Sequence, residues 1–343
     1  MTGKEKCAIL RELRNRIALD NGIDFRSSEC TYTGECLGYC PKCDSEVRFL
    51  EEALKEKALK NTDVNFNSLI DVSVFDTNPI SDTTDEKSYA TMGNMIVNDK
   101  VNLTDEELEA IIREYVVLPD ENDNVTDVQG LLGDIIPDDF DDAGNILSVN
   151  RMRFGTDGEG VRTLIGFMGC PLRCKYCINS MSWDGTKSGR KCTADMLLDK
   201  VRVDNLYFLS SGGGITFGGG EPLLQAEFIN EFLSIAPQCW SYNVETSLSV
   251  PFEGISLISD KIDLFIVDIK SMDNEVYKNY TGCDLDLALD NLKKLLKLVG
   301  SEKILVRVPI IEGYADEKSQ ENSVKLLKEM GITRIDKFSY IKK

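Results

Sequence analysis

The clearest pattern in this chain lies between residues 151 and 343, where short apolar runs alternate with amphipathic stretches. Short apolar runs predict buried strands, and apolar residues at every third or fourth position predict helices. The predicted strands are 161–168, 214–217, 240–246, 264–269, 304–309 and 332–340. The predicted helices between them are 193–201, 223–235, 285–299 and 316–330. Strands joined by crossover helices form a parallel sheet, so we predict an α/β domain folded as a partial (β/α)6 TIM-like barrel.

The first 60 residues predict helices with a charged, solvent-facing side. Over residues 4–20 the apolar side chains, such as Leu13 and Ile17, fall on one face of a helix. A second, charged amphipathic helix is predicted after Cys43 and extends to about residue 60. Because cysteines are concentrated between these helices, we treat 1–60 as an N-terminal cysteine-rich helical segment.

The stretch 61–150 has little periodicity and a strong acidic excess. It contains 21 aspartates and glutamates against three basic residues, whereas the rest of the chain has 37 acidic and 36 basic residues. A short strand is predicted over 69–75, and a capping-box pattern predicts a helix that begins at Thr104. Since its charge balance differs so much from that of its neighbours, we expect an acidic linker or a small domain here.

Composition restricts the classes of function. The 343-residue chain has a net charge of −19, so we expect no binding to nucleic acid. It contains no histidine, which excludes histidine-based catalysis and metal ligation. Its 11 cysteines come without an apolar leader or a membrane-spanning run. We therefore expect a cytoplasmic protein whose thiols are buried or bind metal, with no membrane partner.

Three cysteines follow the first predicted strand of the barrel, namely Cys170, Cys174 and Cys177. Each thiolate of a Cys-x3-Cys-x2-Cys loop can bind one iron of a cubane 4Fe-4S cluster, and the loop leaves the fourth iron without a ligand. A small molecule can bind at that open iron. A zinc knuckle, or three unrelated thiols in a reducing compartment, is the structural alternative.

A second group of cysteines lies near the N-terminus, at Cys30, Cys36, Cys40 and Cys43. Four thiolates within fourteen residues predict a metal site. The last three repeat the spacing of the later loop, but neither a strand nor a glycine-rich loop follows them. The sequence therefore predicts a closed site, either a second 4Fe-4S cluster or a structural zinc ion.

Glycines and polar side chains lie at the ends of the next predicted strands. Gly219, Gly220 and Glu221 follow the second strand, where glycines would let the backbone approach a ligand. The other polar residues at strand ends are Thr246, Asp268, Lys270 and Arg307. A buried charge is costly without a partner. Structural ion pairs are the simpler interpretation of these residues, and ligand binding is the functional one.

The cysteine loop has Pro171 after its first cysteine and Tyr176 before its third, and it resembles the cluster loop of radical S-adenosylmethionine enzymes. The segment 218–222, Gly-Gly-Gly-Glu-Pro, resembles the glycine-rich motif of the same family. The resemblance implies that the open iron binds the amino and carboxylate groups of S-adenosylmethionine, and that Tyr176 packs beside the adenine. An electron from the cluster would then cleave the cofactor to a 5′-deoxyadenosyl radical.

Two further segments, 263–272 and 307–313, resemble the activating enzymes of glycyl-radical enzymes such as pyruvate formate-lyase. In that family the residues that match Lys270 and Arg307 contact the carboxylate region of the cofactor. The resemblance extends over about residues 151–340 and does not include the first 150 residues.

The same resemblance implies roles for residues beside the cofactor. Thr246 and Asp268 would help to form a monovalent-cation site, in which Glu245 replaces the aspartate of the family. Asp157 would seat the glycine loop of the substrate, with Glu159 where the family has proline. Flavodoxin or ferredoxin would supply the electron.

These resemblances imply an oxidoreductase that abstracts hydrogen from a glycine of a partner glycyl-radical enzyme. A radical maturase that modifies a ribosomally made peptide is the alternative within the same chemistry. A non-catalytic iron-sulfur electron carrier or metal-binding module is the alternative from another class.

Overall fold

The computed structural model describes residues 2–28, 30, 40–60, 64, 143–184 and 189–340. Its N-terminal part contains two helices, α1 over Gly3–Asp20 and α2 over Pro41–Leu59. Thr2 and Glu5 close the first turn of α1 with a reciprocal capping box. Pro41 begins α2 at a position where a helix needs no backbone N–H donor. The two helices predicted in the first 60 residues are thus confirmed.

An eight-stranded sheet runs through the described residues after 143. Its strands are β1 Gly144–Arg153, β2 Arg162–Phe167, β3 Arg190–Cys192, β4 Gly214–Gly219, β5 Ser241–Thr246, β6 Leu264–Asp268, β7 Ile304–Ile310 and β8 Arg334–Ser339. Their order across the sheet is β3-β1-β2-β4-β5-β6-β7-β8. Across the sheet, the six strands β2, β4, β5, β6, β7 and β8 are neighbours in that order, and every pair of neighbours among them is parallel. This arrangement confirms the six predicted strands and the partial barrel.

Two strands of this sheet were not predicted. β1 and β3 lie at one edge, and both pairings of β1 are antiparallel. β1 begins at Gly144, so the sheet includes residues 144–150, which the sequence analysis assigned to the acidic segment. Few of the ten residues of β1 are buried, and a strand with so little burial shows no clear apolar period. β3 has only three residues.

Helices connect the parallel strands. They are α3 Ala194–Val201, α4 Asn205–Ser211, α5 Ala226–Ile235, α6 Phe252–Ile258, α7 Asn274–Thr281, α8 Asp286–Val299 and α9 Glu317–Glu329. Of these, α3, α5, α8 and α9 match the predicted helices. The other three, which have seven or eight residues, were not predicted.

The N-terminal helices share the hydrophobic core of the barrel. Leu10 and Leu13 of α1 and Leu50 of α2 belong to the same buried cluster as Phe167 and Phe217 of the sheet. Burial of such side chains against the barrel is the main source of stability for this contact. The described helices of the cysteine-rich segment are therefore packed on the barrel and share its core.

Two arginines connect these helices to the barrel by polar contacts. Arg14 is 1% exposed, and its Nη1 donates to the Tyr207 hydroxyl of α4 at 2.5 Å. Arg151 on β1 donates through Nη2 to Asp204 at 2.6 Å and to Asp44, in the first turn of α2, at 3.3 Å. Removing either arginine would leave buried polar groups without partners, which is more costly than losing an exposed pair.

Three predictions fall outside the described residues, namely the strand over 69–75, the helix that begins at Thr104, and the position of Cys36. In the part of the chain that is described, no helix has both the length and the apolar character needed to cross a membrane.

Candidate functional site

The loop with the three predicted cluster cysteines follows β2, at the carboxyl end of the first parallel strand. Its backbone is held from two sides. Gly169 N donates to Ser182 O at 2.6 Å, and Arg173 N donates to the carbonyl of Thr281, the last residue of α7, at 2.7 Å. Because neighbouring elements fix this loop, its side chains can be presented to a ligand without large rearrangement.

The three thiols on this loop, Cys170, Cys174 and Cys177, are all partly exposed. Burial raises the pKa of Cys170 to about 12 and that of Cys174 to about 11. Within the described ranges, no three histidine, cysteine, aspartate or glutamate side chains form a group that could hold one metal ion. Ligands of a cubane cluster need not converge on one point, since each thiolate binds a different iron. Three accessible thiols on one fixed loop therefore fit the donor set of a 4Fe-4S cluster.

The glycine loop after β4 is bonded directly to the cysteine loop. Gly220 N donates to Phe167 O at 3.0 Å, and Glu221 N donates to Gly169 O at 2.7 Å. A Cβ atom on Gly220 would lie 2.2 Å from Gly169 O, so a side chain at this position would push the loops apart. Gly219 has a φ of +94°, a left-handed conformation that favours glycine. These glycines allow the two loops to pack closely, in addition to any approach to a ligand.

Asn179 forms a second link between the same loops. Its Nδ2 donates to Gly219 O at 3.0 Å. Ile178, directly before it, is 87% exposed. The contact between Asn179 and Gly219 was not predicted, because 40 residues separate them in the chain.

Glu221 lies in the glycine loop after β4, and its side chain is buried against the end of β5, with 1% of the residue exposed. Its Oε1 accepts from the Thr246 hydroxyl at 2.7 Å, and its Oε2 accepts from the Ser247 hydroxyl at 2.7 Å and from Ser247 N at 2.9 Å. Burial raises the pKa of Glu221, and the hydrogen bonds from Ser247 and Thr246 oppose that shift. Both carboxylate oxygens thus have partners in the protein. Ser247 was not predicted as a site residue, because its position directly after a strand is the only feature of the sequence that points to it.

Lys270 follows β6 and is 6% exposed. Its Nζ donates to Asp268 Oδ2 at 3.0 Å and to the Tyr340 hydroxyl at 2.9 Å. Burial by itself lowers the pKa of Lys270, but Asp268, Tyr340 and Cys174 raise it well above its ordinary value. The lysine is therefore a fixed positive charge beside the cysteine loop. Tyr340 was not predicted as a partner, because 70 residues separate it from the lysine.

Arg307 on β7 pairs with Glu245 on β5, with 2.7 Å between Nη1 and Oε1. Its Nη2 also donates to the carbonyl of Thr156, in the turn before β2. Burial raises the pKa of Glu245, and the Arg307 guanidinium opposes that shift. The charges at the strand ends therefore neutralise one another, as the simpler interpretation of the sequence expected.

The side chains expected at a monovalent-cation site all have other partners. Thr246 donates to the buried glutamate of the glycine loop. Asp268 accepts from Lys270, and Glu245 accepts from Arg307. Two cationic side chains, Lys270 and Arg307, thus lie beside these carboxylates, and the monovalent-cation site stays a prediction.

Asp157 lies in the turn between β1 and β2 and is 2% exposed. Its Oδ1 accepts from Arg153 Nη2 at 2.8 Å. Its carbonyl accepts from Thr216 Oγ1 at 2.8 Å and from Asn243 Nδ2 at 3.0 Å, on β4 and β5. These bonds hold the turn against the sheet. Arg153 is a further residue of this site that the sequence analysis did not name.

Tyr176 packs edge-on against Tyr280 and Tyr314, with ring centroids 6.0 and 5.8 Å from its own. Its hydroxyl donates to Glu312 O at 3.2 Å. The tyrosine therefore ties the cysteine loop to the segment after β7. Its place beside an adenine stays a prediction.

The N-terminal cysteines are brought together only in part. Cys40 Sγ and Cys43 Sγ lie 3.7 Å apart. Cys30 is exposed, and Cys36 lies outside the described residues. Whether these cysteines form one metal site stays a prediction at this point.

This pair of thiols lies near the beginning of β2, whereas the cysteine loop follows its end. Asp44, next to Cys43, pairs with Arg151 at 3.3 Å. The hydroxyl of Thr163, the second residue of β2, donates to Asp204, which also pairs with Arg151. The end of β2 is four residues beyond Thr163, or about 13 Å at the usual rise of a strand.

The chain is similar to known proteins over its barrel. Residues 164–321 match the model of the Radical SAM superfamily. The pyruvate formate-lyase-activating enzyme of Clostridium pasteurianum is 36% identical over 183 residues, which cover 53% of this chain and 74% of that enzyme. The 4-hydroxyphenylacetate decarboxylase activating enzyme of Clostridioides difficile is 32% identical over 231 residues, covering 48% and 71%. Among solved structures, SuiB of Streptococcus suis matches 51% of this chain and 38% of its own with 16% identity and a TM-score of 0.41.

Proposed function

Because this chain belongs to the radical SAM superfamily and is homologous to activating enzymes, we propose that it abstracts hydrogen from a glycine of a partner glycyl-radical enzyme. The observation that carries this proposal is the joining of the two loops. The three-cysteine loop and the glycine loop share backbone hydrogen bonds at the carboxyl ends of β2 and β4. Two similar enzymes are named for activating pyruvate formate-lyase and 4-hydroxyphenylacetate decarboxylase, which supports a protein partner of the same class.

The family implies a 4Fe-4S cluster and S-adenosylmethionine. When bound, the reduced cluster supplies the electron that splits this cofactor into methionine and a 5′-deoxyadenosyl radical able to take hydrogen from carbon. We assign the cluster to Cys170, Cys174 and Cys177, whose loop leaves one iron for the cofactor. A flavodoxin or ferredoxin is the proposed reductant.

The methionine end of the cofactor is assigned to the strand ends next to the cysteine loop. Lys270 and Arg307 are the cations there that can bind a carboxylate by charge-assisted hydrogen bonds. Gly219 and Gly220 offer backbone groups to the amino group of the cofactor. Glu221 holds the glycine loop against Thr246 at the end of β5, and this contact keeps the binding surface in place.

The turn with Asp157 is the proposed seat of the glycine loop of the partner. It adjoins the cofactor residues, since Arg307 contacts the carbonyl of Thr156. Arg153 pairs with Asp157 and fixes its carboxylate. A backbone glycine held here would lie among preorganised polar groups, and binding of the partner would exclude water from the radical chemistry.

Electron paramagnetic resonance with candidate partners tests this proposal. Reconstituted protein, S-adenosylmethionine and dithionite are mixed anaerobically with each partner, and a glycine-centred doublet is expected. Asp157→Asn should lower the yield of that radical at least about tenfold while cofactor cleavage continues, because it removes the charge at the proposed seat. Asp290→Asn, at an exposed position on α8, is the matched control and should change neither.

Two outcomes would contradict the proposal. If no partner gains a radical and only a small peptide changes mass, the chain is a peptide maturase. If the reduced protein leaves S-adenosylmethionine intact, it is an electron carrier or a metal-binding module.

A further inference from the structure

An exposed apolar surface adjoins the cysteine loop, and we call its three residues, Ile178, Met181 and Leu224, the loop face. Among the large apolar side chains that the structure describes, Ile178 has the largest exposed fraction, 87%, while Met181 and Leu224 are 69% and 47% exposed. Gly169 N donates to the carbonyl of Ser182, the residue after Met181, at 2.6 Å. A Cβ on Gly169 would lie 3.3 Å from Leu224 Cδ1, so both parts of the face border this glycine. Exposed apolar side chains that lie together commonly mark a contact site for another protein.

Basic side chains lie around this face, although the chain is acidic as a whole. Arg173 and Lys175 belong to the cysteine loop itself, and both are exposed. The pairings of β1 place Arg190, at the exposed start of β3, level with Phe167, the last residue of β2. The described residues between 169 and 191 contain four basic residues and one acidic residue, whereas the whole chain has a net charge of −19. The surroundings of the loop face therefore attract acidic surfaces.

The size, charge and position of the loop face suit a protein that delivers electrons. Three apolar side chains make a small contact, and weak electron-transfer complexes have some of the smallest specific interfaces between proteins. Opposite charges around such a contact speed the encounter of the two proteins. Ile178 directly follows Cys177, one of the proposed cluster ligands. A carrier bound at the face would thus bring its redox group close to the cluster, which matters because electron transfer slows steeply with distance.

The proposed seat of the partner's glycine loop lies in a different part of the molecule. The carbonyl of Asp157 accepts from Thr216 and Asn243, each of which is three residues before the end of its strand. At the usual rise of a strand, this distance is about 10 Å. The loop face, by contrast, is exposed on the loops that follow the ends of β2 and β4. The seat and the loop face therefore provide two separate contact sites.

We propose that the loop face, together with Arg173 and Lys175, is the docking surface for an acidic electron-carrier protein. The inference rests on the proposed function, because the carrier is the reductant of that reaction. The reduced carrier gives one electron to the cluster and is itself oxidised by one electron, and no bond forms or breaks in this step. Acidic side chains of the carrier pair with the two basic residues, and its apolar contact is made with Ile178 and its neighbours.

Calorimetric titration of the full-length reconstituted chain with oxidised flavodoxin, and separately with oxidised ferredoxin, tests the proposal. At least one carrier should bind, and its binding should weaken as the salt concentration rises. Ile178→Ser and Lys175→Glu should each weaken that binding at least about fivefold. Leu298→Ser and Lys293→Glu, at exposed positions of α8, are the matched controls and should change it by less than about twofold. Failure of both carriers to bind, or unchanged binding by Ile178→Ser and Lys175→Glu, would overturn the proposal.

Cofactor cleavage with two reductants distinguishes docking from other roles of the face. With limiting reduced carrier, Ile178→Ser should form 5′-deoxyadenosine at least about fivefold more slowly than the unmodified chain. With dithionite the two should be equally fast, because a small reductant needs no docking surface. If Ile178→Ser accepts electrons from the carrier normally but gives a partner enzyme less radical, the face binds that partner and the proposal is wrong.

A second copy of the chain is the other possible occupant. Sedimentation that shows a dimer of the unmodified chain and a monomer of Ile178→Ser would assign the face to self-association and would overturn the proposal. Failure of the proposed function gives a different result. An unmodified chain that forms no 5′-deoxyadenosine even with dithionite would contradict that function, whereas the calorimetric titration would still decide whether a carrier docks at the loop face.

Discussion

Replacing Gly220 by alanine tests the contact between the glycine loop and the cysteine loop. The added Cβ would lie 2.2 Å from Gly169 O and 2.9 Å from Phe167 O. Overpacking at such a contact costs about 1–3 kcal/mol. The loop can relieve it only by weakening the hydrogen bonds Gly220 N to Phe167 O and Glu221 N to Gly169 O, each worth about 0.5–1.5 kcal/mol. We expect a total cost of about 2–4 kcal/mol, concentrated where the cofactor is proposed to bind.

Gly212→Ala provides a matched control elsewhere in the barrel. Gly212 ends α4 with a φ of +64°, and an added Cβ there would meet no atom within 4 Å. Alanine in this left-handed conformation costs about 1–2 kcal/mol in backbone strain. The Gly212→Ala variant should therefore lose a similar amount of stability without disturbing either loop. Comparing the two variants distinguishes the effect of a general loss of stability from the effect of a displaced glycine loop.

The measurement is the affinity of both reconstituted variants for S-adenosylmethionine, determined by equilibrium dialysis. Since 1.4 kcal/mol corresponds to a factor of ten, Gly220→Ala should weaken binding at least about tenfold. Gly212→Ala should change it by less than about twofold. Thermal unfolding of the same samples shows whether both remain folded. If the two variants bind the cofactor equally well, the contact between the loops does not support cofactor binding.

Three further predictions follow from individual contacts. Asn179→Asp removes the amide that donates to Gly219 O, a loss of about 1 kcal/mol. This loss should raise the KM for S-adenosylmethionine about fivefold, and an unchanged KM would show that the hydrogen bond does not support cofactor binding. Lys270→Met should raise the same KM at least about tenfold, whereas Lys278→Met, at an exposed ion pair, should not; equal effects would exclude Lys270 as a cofactor ligand. Burial raises the pKa of Glu51 from 4.5 to about 8, so the folded state retains a proton that the unfolded state loses, and stability should fall as pH rises between these values. Because Glu51 is only partly buried, Glu51→Gln should raise the free energy of unfolding by about 1–2 kcal/mol at pH 8.5 and leave it unchanged near pH 4, as urea unfolding at both pH values would show.

β2, β4 and β6 could be predicted because they are buried on both faces, whereas β8 was predicted although none of its residues is fully buried. Runs such as Leu264–Asp268 are apolar throughout and end at a charged residue, so both the strand and its functional end are visible in the sequence. β1 could not be predicted in this way, because most of its residues are only partly buried and mixed polar and apolar positions conceal the strand.

The candidate site could be predicted where one local segment supplies the chemistry, and not where distant segments meet. The cysteine and glycine loops are each contained in a few residues, so their spacing is visible. The contact between Lys270 and Tyr340 depends on the relative placement of β6 and the end of β8, which no local pattern encodes. The same holds for Asn179, whose partner Gly219 lies 40 residues away.

The burial of Arg14, on the first predicted helix, could not be predicted from the sequence either. Arg14 lies between apolar positions of α1, where sequence patterns place long charged side chains in solvent. In the structure it is 1% exposed, since Tyr207, Glu46 and Ser27 offer it polar partners. The docking of the N-terminal helices on the barrel therefore depends on contacts that only the three-dimensional arrangement reveals.

The central claim is that Cys170, Cys174 and Cys177 hold a cubane cluster whose open iron binds S-adenosylmethionine. The most direct test is the amount of 5′-deoxyadenosine formed when anaerobically reconstituted protein is mixed with S-adenosylmethionine and dithionite. We expect 5′-deoxyadenosine from the unmodified chain, and none above background from Cys174→Ser, while Cys192→Ser, at a buried cysteine of β3, should retain the activity. An unmodified chain that carries its cluster and yet forms no 5′-deoxyadenosine, or a Cys174→Ser variant that still forms it, would contradict the account.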